Sequence, residues 1–316
     1  MAGLSHRVRK DEQEEHRPEP IRLGGGNGSR PGVDSPDLIY LPAVGPLMPL
    51  VESYYLYRYD CEAIEGVERV DTGQIRFMLH GQGKLLFPSG RIQTSLPVMI
   101  NGPSSAAWRY CVDGPFHCFG VSLRPIGWRS LVGQPAHRFS ETVLDADTVF
   151  DGEASPLLEQ LRCAETLEEM VALVEPMLLR HRRRVPEAHL ALCRAVREWG
   201  ASEKLGIDAL YAMVPMSQHQ VMRLCNEYFG GPPKHLERKF RAIRAAMRIY
   251  QGAEPAAVSG PFFDQSHMIH EIKHFTGHTP TSLREAIDPV LASTLDNETF
   301  HIIPEVFPES VDPGGD

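Results

Sequence analysis

The order of apolar and polar positions divides the chain into a region that predicts strands and a region that predicts helices. Between residues 37 and 140, short apolar runs alternate with glycine and proline residues. The clearest runs are 74–80, 84–88, 95–102 and 116–123. Short strands at regular spacing are typical of a β-sandwich or barrel. From residue 154 onward, the apolar positions recur every three or four residues, which predicts helices.

The sharpest helical pattern lies between Ser217 and Gly230. Ser217 is a favourable N-cap, because its hydroxyl accepts a hydrogen bond from a backbone N–H of the first turn. The apolar stripe of this helix consists of Val221, Leu224, Cys225 and Tyr228. A shorter apolar run at 207–214, followed by Pro215, precedes it. A short helix, a tight connection and a capped second helix have the spacing of a helix-turn-helix.

Further helices are predicted on either side of this pattern. Residues 154–184 form two of them, with a broad apolar face that packs either on the β region or on a second subunit. The remaining predicted helices are 187–199, 234–251 and the short segment 254–260. The length of 316 residues and a hydrophobic content of 42% are enough for two domains with separate cores.

The net charge of −9 argues at first against nucleic acid as a partner, but the charge is unevenly distributed. Residues 217–250 carry seven basic side chains and two acidic ones, whereas 293–316 carry six acidic side chains and no lysine or arginine. A basic run alone is more often a solvated helix face. Next to a helix-turn-helix pattern, it favours contact with a nucleic acid.

Several classes of protein are disfavoured by the sequence. No run approaches the ~20 apolar residues of a membrane span, and the N-terminus lacks the apolar core of a secretory signal. The six cysteines show no paired spacing, so we expect a reducing, cytoplasmic location. His80 and His117 occur singly, so no metal, cofactor or catalytic group is predicted. Segments 1–36 and 291–316 are polar enough to predict disorder.

Two stretches carry the residues of a double helix-turn-helix pattern. The first set consists of Leu210, Ser217, Arg223, Gly230 and Pro233. The second consists of Phe262, Asp264-Gln265-Ser266-His267, Phe275, Gly277 and Thr279-Pro280. In these residues, their order and their separation, the chain resembles the AraC family of bacterial transcription regulators. In that family the helix matching 234–251 bridges the two units and holds their recognition helices about one DNA turn apart.

The resemblance implies an α+β chain of two domains. A β-rich, cupin-like jelly roll at 37–150, which senses a small molecule or supports a dimer, is followed by a helical extension at 151–184. An all-α double helix-turn-helix domain occupies 186–290. The implied partners are double-stranded DNA, a small-molecule effector and a second copy of the chain, with no membrane. The implied function is sequence-specific transcription regulation, without enzymatic activity.

The resemblance also assigns residues to DNA. Base contacts are expected from His219, Met222, Arg223, Gln265, Ser266, His267 and His270. Phosphate contacts are expected from Ser217, Gln218, Lys234, Arg238 and Lys239, and Gln220 fits either set. Arg223 is the strongest candidate, because two N–H donors of its guanidinium match the O6 and N7 acceptors of guanine. His267 and Asp264 have an alternative role as helix caps, and His270 stands where the family often has arginine, which makes this contact weaker and pH-sensitive.

A ligand site is expected in the β region. Trp108, Arg109, Tyr110 and Trp128 are candidates to line a pocket for an anionic or aromatic ligand. Their alternative interpretation is as single core or surface residues.

The sequence departs from the family at both turns, where Pro215 and Pro261 replace glycine. Proline fixes φ near −65°, so the turn backbones must differ from those of the family. With Ala256 and Gly260 weakening its first helix, the second unit is expected to be the looser one and to contact mainly the DNA backbone. The alternative function is a cupin-like small-molecule-binding protein or enzyme with a degenerate helix-turn-helix.

Overall fold

The computed structural model describes residues 19–23, 36–202, 205–285, 291 and 295. Most of the two segments predicted to be disordered lies outside these residues. One part of 1–36 is ordered, contrary to the prediction: Ile21–Leu23 forms strand β1 at the edge of the sheet. Arg22 explains part of this order, since its guanidinium donates to the Asp37 carboxylate at 2.8 Å across the strand pair.

The predicted α+β fold, with a β-rich N-terminal domain and an all-α C-terminal domain, is confirmed. Within the described residues, nine antiparallel strands form one sheet in the order β1-β2-β3-β8-β5-β7-β9, with β4 paired to β8 and β6 to β5. The strands after β1 are β2 (Asp37–Pro42), β3 (Val51–Tyr59), β4 (Ala63–Glu68), β5 (Gln74–Leu86), β6 (Ile92–Thr94), β7 (Val98–Asn101), β8 (Trp108–Leu123) and β9 (Val143–Asp145).

The strands are less uniform than predicted. The runs 74–80 and 84–88 belong to the single strand β5, whose pairing with β8 shifts register between Met78 and Gln82. Gly81 lies in this irregular stretch with φ of +89°, a value that a side chain rarely tolerates. The glycine therefore bends β5 without ending it, as a β-bulge does. The run 116–123 is likewise only the second half of β8.

The two faces of the sheet bury different clusters, as the alternation of side chains along a strand requires. Tyr54, Phe77 and Phe119 belong to the core that is covered by helices. Their neighbours Tyr55 and Cys118 belong to a second cluster on the opposite face. The second cluster surrounds a cavity inside the β domain.

The helices agree closely with the periodic segments. They are α1 (Pro125–Gly127), continued by a π-helical turn Trp128–Val132, α2 (Ala154–Cys163), α3 (Leu167–His181), α4 (Glu187–Ala201), α5 (Ile207–Met213), α6 (Gln218–Phe229), α7 (Pro233–Tyr250), α8 (Pro255–Val258), α9 (Gln265–Thr276) and α10 (Pro280–Glu285). Among the described helices, none is long and apolar enough to cross a lipid bilayer.

The helical extension packs on the β domain of its own chain. The apolar face of α3, including Val171 and Val174, is buried in the same core as Tyr54 and Phe119. The Tyr54 hydroxyl also donates to the Glu175 carboxylate at 3.1 Å. Of the two packing modes considered from the sequence, the structure shows the intramolecular one.

The two helical units differ in how they are buried. Leu210 and Leu224 of the first unit belong to one continuous core with the β domain. The second unit has a separate core that includes Met268 and Phe275, to which the β domain contributes Val70. The first unit therefore shares its hydrophobic core with the β domain, while the second unit has a separate core.

Candidate nucleic-acid interface

The first turn accommodates Pro215 without glycine. Helix α5 ends at Met213, and Val214 adopts an extended conformation, as residues before proline prefer. The Met216 N–H then donates to the Val214 carbonyl at 2.8 Å, which makes a three-residue turn centred on Pro215. The inverse form of this turn needs a central φ near −75°, which is close to the angle that proline fixes.

Helix α6 begins with the predicted cap. The Ser217 hydroxyl accepts from the Gln220 N–H at 3.3 Å, and the Gln220 side-chain oxygen accepts from the Ser217 N–H at 3.0 Å. This reciprocal pair is a capping box. Gln220, which the sequence left open between base and phosphate contact, is thus engaged in the cap. The helix ends at Gly230, whose φ of +81° is the usual left-handed end of a helix.

The predicted apolar stripe of α6 is confirmed, because Val221, Leu224, Cys225 and Tyr228 are all buried. The candidate base-reading residues His219, Met222 and Arg223 are exposed on the remaining surface of the helix. The Arg223 side chain is 51% exposed and pairs with Glu227 one turn later at 2.6 Å. An exposed pair of this kind contributes little to stability, so the guanidinium can exchange its partner.

The second unit begins with a minimal helix. Helix α8 has a single turn, and Ala256 within it is exposed, whereas Val258 is buried in the unit's core. The Phe262 N–H donates to the Ser259 carbonyl at 2.9 Å, closing a turn over Gly260 and Pro261. Both family glycines are thus replaced by proline in turns that close with backbone hydrogen bonds.

Helix α9 is capped by two residues whose roles were open. Asp264 accepts from the His267 N–H at 2.7 Å, and His267 Nδ1 accepts from the Phe263 N–H at 3.2 Å. Both residues therefore serve the helix start, as their alternative interpretation required. Gln265, Ser266 and His270 remain exposed on the same helix. His267 itself keeps 38% of its side chain exposed, so all four residues stay predicted DNA contacts.

A buried carboxylate joins α9 to the bridging helix α7. Glu271 is 5% exposed and accepts two hydrogen bonds from the Arg238 guanidinium, from Nε at 3.0 Å and from Nη2 at 2.8 Å. Arg241 and His267 each approach it at 3.8 Å. Burial raises the pKa of the Glu271 carboxyl, but the hydrogen bonds and charge of Arg238 outweigh this and leave the pKa below its usual value.

The three cations predicted to touch phosphate occupy different environments. Lys234 lies at the start of α7 with its side chain 67% exposed, and it pairs with Glu237 at 2.8 Å. Arg238 makes the ion pair with Glu271, and Lys239 donates to the Asp71 carbonyl of the β domain at 3.4 Å. Of the three residues, only Lys234 is exposed. Ser217 and Gln218 are exposed at the α6 N-terminus, where backbone N–H groups favour anions.

Helices α6 and α9 both end against the same side of the β domain. The backbone of Gly230 lies next to the Pro103 carbonyl, and the His274 carbonyl of α9 accepts from the Ala107 N–H at 2.8 Å. Pro103 and Ala107 belong to one loop, which connects β7 to β8. The loop thus contacts the C-terminal ends of α6 and α9 and leaves their capped N-terminal ends directed away from it.

The β-domain cavity, of about 180 Å³, contains two of the four predicted ligand residues. Trp108 and Tyr110 line it, whereas Arg109 lies on the opposite side of β8, 67% exposed and paired with Glu65 at 3.5 Å. Trp128 is fully buried in the helix-covered core, where its indole N–H donates to the Gln134 carbonyl. Arg109 does not line this cavity because alternation along β8 turns it to the other side of the strand. Trp128 does not line it either, since it lies outside the strands, in the turn that follows α1.

A polar cluster at the cavity wall was missed by the sequence analysis. Arg76 donates to Glu68 at 2.6 Å, to the Tyr55 hydroxyl at 2.9 Å and to Gln74 at 2.8 Å. Burial raises the pKa of the Tyr55 hydroxyl, which keeps it protonated. The alternation in β5, where Gln74 and Arg76 interrupt an apolar strand on one face, is the signal that could have revealed it.

The cavity is also lined by a cysteine. Cys118 lines it, and burial raises the pKa of this thiol to about 12, so the nucleophilic thiolate is scarce at neutral pH. Nearby, His117 contacts the Asp60 carboxylate at 2.7 Å and lies edge-on to His80. Across the part of the chain that the structure describes, no three side chains of His, Cys, Asp or Glu are grouped to hold a metal ion.

Comparison with known proteins identifies one family of sequences. The family DUF6597, a domain of unknown function, matches residues 40–145, which is less than half of the chain. No curated protein sequence matches significantly. The match covers the β domain up to β9 and none of the helical units.

Solved structures of similar layout include ToxT from Vibrio cholerae, at 8% identity and a TM-score of 0.39, covering 72% of this chain and 99% of ToxT. ToxT with bound unsaturated fatty acid gives 11% identity and a TM-score of 0.38, over 78% and 98% of the two chains. The AraC-like transcriptional activator CuxR gives 14% identity and a TM-score of 0.30, over 66% and 80%. These scores are too low for the likeness to carry a functional argument.

Proposed function

We propose that this chain is a sequence-specific DNA-binding transcription regulator of the AraC-like type, with a small-molecule site in its β domain. The observation that supports it most is the pair of helix-turn-helix units, α5–α6 and α8–α9, joined by the single helix α7. Each second helix starts with a side-chain cap and ends at a glycine with positive φ. This is the arrangement that places two recognition helices in the major groove.

The first unit is the principal reader of bases in this proposal. Arg223 exchanges its exposed partner Glu227 for the O6 and N7 acceptors of guanine. His219 and Met222 flank it on the same exposed surface and contact neighbouring bases, the methionine by apolar contact with a thymine methyl group. Ser217 and Gln218 lie at the helix N-terminus, where they contact phosphate.

The second unit has a smaller set of contacts. Gln265, Ser266 and His270 are the exposed candidates for base edges or phosphates. His267 supports the helix start, and Arg238 holds α9 on α7, so these two residues act on DNA by positioning the helix. Lys234 supplies a phosphate contact at the start of α7.

The effector proposed for the β domain is a small, largely apolar molecule with one polar group. The side chains of Trp108, Tyr110 and Met78 form apolar parts of the cavity wall. The cluster around Arg76 provides hydrogen-bonding groups on one part of that wall. A few convergent polar groups in an apolar cavity are typical of small-molecule sites. In this proposal two chains bind one operator. The small molecule binds in their β domains and regulates them there.

Selection from random DNA tests this function. The full chain is the right material, because the first unit shares its core with the β domain. We expect enrichment of one short motif at moderate salt, with affinity that falls steeply as salt rises. Recovery of random sequences at low salt would indicate a non-specific binder. No recovery at any salt would favour the alternative, a small-molecule-binding protein whose helical units are structural.

A further inference from the structure

The segment between α3 and α4 contains three consecutive arginines, Arg182, Arg183 and Arg184. All three are exposed, and Arg182, at the end of α3, has an extended backbone. Helix α4 begins only at Glu187, so these arginines precede both helical units. They concentrate three positive charges at the point where the chain passes from the β domain to the helical domain.

Hydrogen bonds hold this segment on the β domain. The Arg183 N–H donates to the Ser130 carbonyl at 3.0 Å, and the Ser130 hydroxyl donates back to the Arg183 carbonyl at 2.7 Å. The Arg183 guanidinium donates to the Leu131 carbonyl at 2.6 Å. Arg183 thus anchors the segment to the π-helical turn through both its backbone and its side chain.

The same part of the β domain lies against the first recognition helix. The π-helical turn and the short 3-10 helix that follows it, Ala136–Arg138, both contact α6. His137 Nδ1 lies 3.3 Å from the Asn226 carbonyl oxygen of that helix. The turn contributes Arg129 and the short helix contributes Arg138, whose side chain is exposed. Two further arginines therefore lie beside α6.

The start of α4 relates these arginines to Arg223, the main candidate for reading bases. His189 Nδ1 lies 2.8 Å from the Tyr228 hydroxyl of α6. Burial lowers the pKa of the His189 imidazole, and the nearby charges of Arg223 and Arg129 lower it further. Glu227 acts in the opposite direction. The positive charges of the β domain and of α6 are therefore close to the same histidine.

The linker surface is defined by five arginines, Arg129, Arg138, Arg182, Arg183 and Arg184. In the described part of the chain, none of the five forms an ion pair. The acidic residues that flank the segment pair with other side chains, Glu153 with His181 at 3.0 Å and Glu187 with Arg194 at 3.2 Å. Arg129 donates to the Gly133 carbonyl, which carries no formal charge. Such a concentration of positive charge favours a partner with many negative charges.

We propose that the linker surface binds the phosphate backbone of DNA next to the base pairs that α6 reads. This inference rests on the proposed function, because it starts from α6 in the major groove. Double-stranded DNA fits the surface, since it carries one negative charge about every 1.7 Å of its axis, on both sides of the groove that a helix enters. Phosphate contacts carry no direct sequence information, so the surface adds affinity and fixes the orientation of α6.

The salt dependence of DNA binding by the full chain tests this proposal. The variant Arg182→Gln/Arg184→Gln removes two charges and keeps Arg183, which anchors the segment. We expect the slope of log K against log salt to become shallower by about 2. Affinity for the selected site and for random DNA should fall by the same factor, about tenfold at low salt, with unchanged base preference.

Shortening the DNA separates a direct contact from an indirect effect. The selected motif is offered in duplexes whose two flanks are trimmed in turn. We expect wild type to lose affinity when one flank is removed, whereas Arg182→Gln/Arg184→Gln loses little, because its contacts to that flank are already absent. The control Arg91→Gln/Arg109→Gln removes two exposed arginines outside the linker surface and should behave like wild type. Thermal unfolding verifies that both variants are folded.

An unchanged salt slope in Arg182→Gln/Arg184→Gln, or an equal change in the control, would overturn the proposal. Unchanged DNA binding together with lost binding to phosphatidylserine vesicles would assign the linker surface to lipid and also overturn it. Failure of the proposed function looks different, because wild type itself would then select no DNA motif. That result would overturn both inferences, whereas a change confined to the variant concerns the linker surface alone.

Discussion

Arg238 on helix α7 and Glu271 on helix α9 form a bidentate ion pair, with Nε and Nη2 of the arginine 3.0 and 2.8 Å from the two carboxylate oxygens. The pair fixes the angle of α9 on α7 at a point where the carboxylate is removed from water. A basic residue that the sequence assigned to DNA phosphate thus has a structural partner.

The loss of Arg238 should destabilise the second unit. Arg238→Ala leaves Glu271 buried with only Arg241 and His267 at 3.8 Å, so we expect a loss of about 2 kcal/mol in the free energy of unfolding. Urea unfolding of the full chain measures it. Arg194→Ala, which removes an exposed pair with Glu187, is the control and should cost ~0.5 kcal/mol or less. Equal losses in the two variants would contradict a structural role for the Arg238 pair.

The stability of the α7–α9 junction should also depend on pH through His235. Burial, followed by the charges of Lys239 and Arg238, lowers the pKa of its imidazole to about 4. The imidazole is therefore protonated near pH 6.5 in the unfolded chain, but only near pH 4 in the folded chain. Stability is lost as the pH falls through this window and the loss levels off below it.

The variant His235→Phe isolates that effect, since His235 lies against the ring of Phe275 and an aromatic replacement preserves the packing. We expect the difference in unfolding free energy between wild type and variant to change between pH 7 and 4, in favour of the variant at the acid end. A difference that stays constant over this range would show that His235 titrates normally in the folded chain.

The two glycines that end α6 and α9 can be compared directly. Gly230 and Gly277 have φ of +81° and +78°, so alanine is strained at both by about 1 kcal/mol. A Cβ on Gly230 would lie 3.2 Å from the Pro103 carbonyl oxygen, whereas one on Gly277 would overlap Val67 of the β domain. We therefore expect Gly277→Ala to be the more destabilising substitution in thermal unfolding.

A second variant separates strain from overlap. Adding Val67→Ala to Gly277→Ala opens space at that contact, so the double variant should recover part of the loss relative to Val67→Ala alone. Equal melting temperatures for Gly230→Ala and Gly277→Ala would indicate that the α9 end does not contact the β domain in solution.

Much of the candidate interface was predictable because it depends on local patterns. The Ser217 cap, the buried stripe around Leu224 and the cap at Asp264 follow from spacing over one or two helical turns. The choice between a base contact and a cap for His267 could not be made, since both roles need the same residue at the same position. The hydrogen bond from the Phe263 N–H shows the capping role, and the base contact of His267 stays a prediction.

The cavities were less predictable because they depend on contacts between distant segments. Arg76 reaches Glu68 and Tyr55 only when three strands pair, and Arg124 and Arg197 line one cavity only when the two domains pack. Trp108 and Arg109, adjacent in sequence, lie on opposite sides of β8, which follows from strand alternation once the strand's extent is known. A tryptophan or arginine alone does not indicate which side it occupies.

The central claim is that Arg223 reads a base, and it is tested most directly by the affinity of the full chain for its selected DNA site. The measurement compares wild type, Arg223→Gln and the exposed control Arg109→Gln at several salt concentrations. We expect Arg223→Gln to weaken specific binding by about tenfold to a hundredfold and to lose preference at one base pair, with non-specific binding little changed. Equal weakening of specific and non-specific DNA, or no change, would contradict base reading by α6.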